Sequence, residues 1–190
     1  MKKFPLFLSF LLIFSIGFAQ NRGFKPVSVP GATNGNLYEY SYALVIGESE
    51  YTNGWQRLNG VKSDVPEIKR ALEAQGFFVV VKENIKSDDF DKTVKAFIAE
   101  YGQNVNSRVI IYYAGHGHTI KNQLTNESMG YVVPVDAPNP AYDKAGFLTK
   151  AVDMNQFSNY ALQIQSKHTL FMFDACFAGT IFSGRAGVPP

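Results

Sequence analysis

The sequence predicts an α/β domain in which a mostly parallel β-sheet carries helices on both faces. Three observations lead there. Four short apolar runs, at 42–46, 77–81, 109–113 and 169–173, have the length and composition of strands buried on both faces. The segments between them place apolar side chains at helical spacing. Strand and helix also alternate along the chain, which implies right-handed crossovers between parallel neighbours.

Taken in order, the run from Tyr42 to Ile46 is stopped by Gly47, and a loop through Asn53 and Gly54 follows. From Val65 to Gln75 the positions Val65, Ile68, Ala71 and Leu72 recur at helical spacing, with Asp64 as N-cap and Gly76 closing the helix. Phe77 to Val81 is the second strand. A helix over about 88–101 gathers Phe90, Val94, Phe97, Ile98 and Tyr101 on one face, with Ser87 as its N-cap. Val109 to Tyr113 is the third strand. A polar loop, a short strand at 131–133, a short helix between Asp153 and Leu162 and a fourth strand from Thr169 to Phe173 complete the pattern.

The chain has 190 residues, 46% of them hydrophobic and 18% charged, which suits one packed domain. Lys2 and Lys3 precede an apolar run from Phe4 to Phe18 that ends in small residues, so 1–19 reads as a signal peptide cut after Ala19. The run is shorter than the roughly 20 residues a bilayer needs, so no stable span is expected once it is removed. Residues 20–39, rich in Gly, Asn and Pro, read as a flexible lead-in, and the domain proper as 40–190. The protein is therefore expected to be exported, to the periplasm, the cell surface or beyond. Without Lys2 and Lys3, 16 basic residues face 16 acidic ones, and with no basic cluster the mature chain has no field that would gather nucleic acid. Cys176 is the single cysteine. An exported protein normally pairs its cysteines, so a lone thiol is either buried and inert or has a chemical task.

Two strand ends carry the chemistry. The third strand runs into Ala114-Gly115-His116-Gly117-His118, and the fourth into Asp174-Ala175-Cys176-Phe177-Ala178-Gly179. In a parallel sheet both ends lie at the carboxyl edge, where such folds place their ligands. A thiol attacks a carbonyl as the thiolate, and His116 is the neighbouring base that can take its proton. Gly117 lets a substrate backbone approach, and the amides of Gly117 and Cys176 are candidate oxyanion donors, each worth about 3 kcal/mol in such sites.

These segments resemble the caspase-like cysteine peptidases of family C14, and within them the metacaspases more than the animal caspases. The resemblance runs through Ala43-Leu44-Val45-Ile46-Gly47, Leu58-Asn59-Gly60, Asp64, Gln75-Gly76-Phe77, Tyr112-Tyr113-Ala114-Gly115-His116-Gly117, Val133-Pro134-Val135-Asp136 and Asp174-Ala175-Cys176-Phe177-Ala178-Gly179. It implies a three-layer α/β/α sandwich and an endopeptidase using a His116–Cys176 dyad on peptide or protein substrates. It also implies a pocket for substrate Arg or Lys built from Asp64 and Asp174, with Ala114 where the family has a pocket-lining serine. Paired carboxylates suit a guanidinium or ammonium group. Arg57 falls one position from where an animal caspase would place its acid-binding arginine, so a basic substrate preference is expected. Many metacaspases carry an acidic, calcium-binding cluster after the catalytic histidine; here Glu127 alone stands between Thr119 and Gly130, so no cofactor is expected. The family continues into a small-subunit region, whereas 14 residues follow Cys176 here, so the small-subunit strands are expected to be lacking and the chain to be a fragment or truncated homologue.

Other readings compete. His116, His118 and Asp174 offer a thin set of metal ligands, and His118 otherwise reads as a surface residue. Tyr112, Tyr113, Phe171 and Phe173 read as core, and Trp55 as a possible pocket rim. Gly47 alone does not make a phosphate loop. The alternative to an enzyme is a caspase-like interaction module that turns nothing over. Arg185 offers a site for self-cleavage.

Overall fold

The computed structural model describes residues 37–176; the expected signal peptide, the lead-in up to residue 36 and the stretch around Arg185 lie outside the described residues. In chain order the elements are β1 (Tyr40–Gly47), α1 (Asn59–Ala74), β2 (Phe78–Glu83), α2 (Ser87–Tyr101), β3 (Ser107–Ala114), β4 (Gly117–Lys121), β5 (Ser128–Val132), α3 (Lys144–Lys150), β6 (Val152–Asp153), α4 (Met154–Gln163) and β7 (His168–Asp174). Strands β2-β1-β3-β7 form one sheet in that spatial order, every pair parallel, and β4-β5-β6 form a small antiparallel sheet.

Successive side chains of a strand point to opposite faces, so each central strand feeds two cores. Val45, Tyr112 and Ala114 face α1, whose Val61 and Val65 pack on them. Leu44, Ile46, Ile111 and Tyr113 face the other way, against Phe90, Val94, Phe97 and Ile98 of α2 and Met154, Phe157 and Tyr160 of α4. The result is the three-layer α/β/α sandwich that the alternation of elements implies. Among the described residues β7 pairs on one side, with β3, and its Leu170 and Met172 are exposed. No helix among the described residues is long and apolar enough to cross a membrane.

Several boundaries differ from expectation. Helix α1 starts at Asn59, after Leu58, which makes no side-chain cap. Asp64 is thus an interior residue of the helix and not its N-cap. Val61 lies one turn before Val65 on the same face, but Gly60 and Pro66 disguise that turn in the sequence. Pro66 sits in the second turn, where its missing N–H forgoes a bond to the carbonyl four residues back. At the other end Gly76 closes α1 as expected. It adopts φ +80°, with its N–H on Glu73 O and the Phe77 N–H on Leu72 O, a Schellman pattern.

Ser87 is the first residue of α2 and not its cap. The capping carboxylate comes from a distant loop: Asp136 accepts the Ser87 N–H at 2.8 Å and the Ser87 hydroxyl at 3.0 Å. Burial alone would raise the Asp136 pKa, but Lys150 and Ser87 outweigh it and hold this carboxyl below its ordinary range. The strand expected at 131–133 corresponds to β5, which starts earlier, at Ser128, while the polar loop expected before it holds β4 and the turn of the hairpin; α3 is not among the expected elements. The Asp143 side chain caps α3 through the Gly146 N–H, and Phe147 anchors the helix in the core.

Glu48 extends the β1–β3 ladder by one bond, its N–H donating to Ala114 O at 2.8 Å. Its carboxyl is fully buried. Oε1 accepts the Ile85 N–H at 3.1 Å, while Oε2 has no partner among the described residues. Burial pushes its pKa up to about 9; the Ile85 N–H opposes this and the Asp136 charge reinforces it. The folded protein therefore keeps a proton that the unfolded chain has lost at neutral pH. The resulting stability is full below the unfolded value of 4.5 and falls as pH rises toward 9, by about 3 kcal/mol at neutral pH. Urea unfolding at a series of pH values should show this decline for the native protein and a flatter profile for Glu48→Gln. Equal slopes for the two would mean that the carboxyl is not held protonated.

Candidate active site

The carboxyl edge of the parallel sheet is set by one rung. Ala114 at the end of β3 lies opposite Asp174 at the end of β7, and the Gly115 N–H donates to Asp174 O at 3.2 Å. Parallel neighbours are about 4.8 Å apart. His116 and Cys176 each follow that rung by two residues, so the register brings both to the same edge on adjacent strands. Cys176, the last of the described residues, is a free, exposed thiol.

Two buried tyrosines hold the His116 backbone. Tyr51 Oη accepts the His116 N–H at 2.8 Å and donates to Val133 O at 2.9 Å. Tyr113 Oη donates to His116 O at 2.9 Å and lies 3.3 Å from Tyr51 Oη. The Val133 N–H reaches the same His116 carbonyl at 3.2 Å, so both polar groups of that peptide are satisfied inside the fold. Gly115 is a steric requirement of this arrangement, because a Cβ there would lie 2.5 Å from Tyr113 Oη and 2.7 Å from Tyr51 Oη.

The imidazole itself is fixed by the loop after β1. His116 Nε2 lies 2.7 Å from the carbonyl oxygen of Gln56. A carbonyl only accepts, so Nε2 carries the hydrogen and Nδ1 is the basic nitrogen of the neutral ring. The rings of Tyr51 and Trp55 pack on the imidazole, with centroids 4.5 Å and 4.9 Å away.

The acidic residues converge on Tyr112. Its hydroxyl donates to Asp174 Oδ2 at 3.2 Å. Its pKa is pushed up to about 12, by burial first, then by Asp174, with a further contribution from Asp64. Asp174, exposed at the sheet edge, thus bonds the phenol directly, while Asp64, half-buried on α1, acts on it through its charge alone. Ala114 is different: it is fully buried among Val45, Val61, Val65 and Tyr112 and offers no surface to a ligand. Gly117 opens β4, opposite Val132. Arg57 is engaged elsewhere, with Glu50 at 3.3 Å, and Lys62 pairs with the same carboxylate.

His118 is half-buried rather than fully exposed. It packs edge-on against Trp55 and Phe147, and burial lowers its pKa. Among the described residues no three His, Cys, Asp or Glu side chains form a group that could hold a metal ion, so His116, His118 and Asp174 do not assemble into one. Sequence reasoning missed Tyr51, Gln56 and the site-facing roles of Tyr112 and Tyr113. Tyr51 carried a weak signal, as a large aromatic just past a buried strand; Gln56 acts through its backbone and carried none.

The caspase domain of peptidase family C14 matches residues 41–188, and the chain belongs to that family. The fold is similar to the crystal structure of a Geobacter sulfurreducens protein solved as a structural-genomics target, with a TM-score of 0.56 at 15% identity. That match covers 75% of this chain and 52% of the other, so the chain spans about half the length of that protein. No curated protein matches it.

Gly115→Ala should destabilise the domain by about 1–3 kcal/mol, the usual range for overpacking a tight site. Combined with Tyr51→Phe, which removes one of the two crowding hydroxyls, it should cost less than the sum of the two single changes. A double-mutant cycle by urea unfolding checks this, and strict additivity would show that the hydroxyls do not crowd that position.

Proposed function

We propose that this protein is a cysteine endopeptidase that cleaves after Arg or Lys, with Cys176 as nucleophile and His116 as base. The observation that carries the reading is the shared register, which brings both residues two positions beyond one rung of adjacent strands. In the reaction His116 Nδ1 takes the thiol proton, and the thiolate sulfur bonds to the substrate carbonyl carbon. The amides of Gly117 and Cys176 stabilise the tetrahedral oxyanion. The C–N bond then breaks, with the imidazolium giving its proton to the leaving amine. Water, deprotonated by the same nitrogen, attacks the thioester, releasing the acid and the thiol.

Asp174 and Asp64 receive the basic side chain of the substrate. What supports this is their convergence around the Tyr112 hydroxyl and the engagement of Arg57 by Glu50, which leaves acidic rather than basic charge at this point of the edge. Reading 1–19 as a signal peptide supports an exported enzyme. A module without turnover is the competing outcome.

Fluorogenic peptides ending in Arg, Lys or Asp separate these readings, assayed with and without calcium. Cleavage after Arg and Lys should vanish in Cys176→Ala and fall by roughly 10²–10⁴-fold in His116→Ala. Asp174→Asn should lower kcat/KM for the Arg peptide by roughly 10- to 100-fold, the worth of one charge-assisted contact. Cleavage after Asp alone would overturn the pocket assignment. Absence of turnover and of labelling by an electrophilic Arg peptide would overturn the enzyme.

A further inference from the structure

The loop between β1 and α1 reaches His116 at three points, and only one is the hydrogen bond to the ring. Gln56 O fixes Nε2 but leaves the imidazole free to tilt about that bond. Tyr51 contacts the residue twice, through the 2.8 Å bond from the His116 N–H and through its ring. Trp55 packs against the imidazole with centroids 4.9 Å apart and the two rings tilted by 30°. Together these contacts define the height and the plane of the ring.

The loop is itself tied down. Trp55 Nε1–H donates to Ala137 O at 3.1 Å, Asn53 Nδ2 to Asp136 O at 2.8 Å, and Asn139 Nδ2 to Gly54 O at 3.1 Å. At its two ends the Leu58 N–H bonds Ser49 O, and Asn84 Oδ1 accepts the N–H groups of Ser49 and Glu50. The indole is thus presented to His116 from a fixed support rather than from a loose turn.

Resting on the reading of His116 as the base, we propose that Tyr51 and Trp55 are positioning residues of the reaction, Tyr51 setting the height of His116 over the sheet edge and Trp55 setting the plane of its ring. Burial keeps the Tyr51 hydroxyl protonated, so its bonds persist across the working pH range.

The test is the pH profile of Cys176 alkylation by iodoacetamide, followed by mass spectrometry on the purified protein, beside kcat and KM on the Arg peptide. Thiolate formation assisted by His116 places the midpoint below the ordinary thiol value of about 8.5. Tyr51→Phe and Trp55→Leu should move that midpoint up by about one pH unit and lower kcat roughly 10- to 100-fold, with KM nearly unchanged. Trp55→Phe, which keeps a stacking ring, should restore most of both. A role confined to packing would lower thermal stability without moving the alkylation midpoint. If His116→Ala shifts the midpoint and Tyr51→Phe and Trp55→Leu do not, the positioning proposal is overturned while the base assignment stands. If His116→Ala shifts nothing, the base assignment falls and takes this proposal with it. Should Tyr51→Phe not fold, the Trp55→Leu and Trp55→Phe pair decides. The alkylation profile needs no substrate, so it reads the His–Cys coupling even where turnover is nil.

Discussion

The parallel pairing of β3 with β7, in the register that sets Ala114 against Asp174, is the constraint on which the site depends. Slipping β7 by one residue would move Cys176 along the edge and exchange the faces of every β7 side chain. That slip is opposed from the helical layer, because Phe171 and Phe173 pack edge-on against Phe157 of α4 on one face. Their alternates, Leu170 and Met172, would have to replace them there with less well matched shapes. The packing that selects the register also fixes where the strand ends, so core formation and site formation are a single event.

Much of the sheet was legible because buried parallel strands write themselves as apolar runs, and β1 is the clear case, with Ala43 to Ile46 wholly inside. Gly76 was legible as a helix stop for the same reason that it works, its tolerance of positive φ. What stayed hidden depends on partners far away in sequence. The cap of α2 is a carboxylate 49 residues on, and no local pattern around Ser87 points to Asp136. The start of α1 was obscured by Gly60 and Pro66, which conventionally mark loops, while tertiary packing of Val61 on Val45 overrode that preference. In the hairpin after His116, β4 carries few apolar side chains and reads as a loop, whereas the apolar end of β5 reads as a strand. At the edge itself, the placement of His116 and Cys176 beyond the ends of adjacent strands was legible from the apolar runs that precede them. Their supports were not: Gln56 contributes only a carbonyl, and the hydroxyls of Tyr51, Tyr112 and Tyr113 cannot be told from core aromatics without coordinates.

The electrostatics divide the carboxyls near the edge into two kinds. Asp136, half-buried, stays ionised because Lys150 and the start of α2 surround it with donors. Glu48, fully buried with a single N–H partner, is kept neutral. The two are coupled, since a charge on Asp136 makes a second one nearby more costly. A neutral Glu48 spares the hydroxyls of Tyr51 and Tyr113 the charge of a nearby anion.

A backbone carbonyl as the partner of the imidazole has its own consequence. A carboxylate in that place would stabilise the imidazolium strongly but add a third acid to a region that already holds Glu48 and Asp136. The Gln56 carbonyl fixes the same tautomer without adding a formal charge, and so orients the ring. The indole of Trp55 packs on that ring with centroids 4.9 Å apart. Two residues of one loop thus hold an imidazole that a single carboxylate could otherwise hold. The geometry of that loop, tied to 136–139 by side-chain bonds, therefore governs the His116 ring as directly as the strand that carries it.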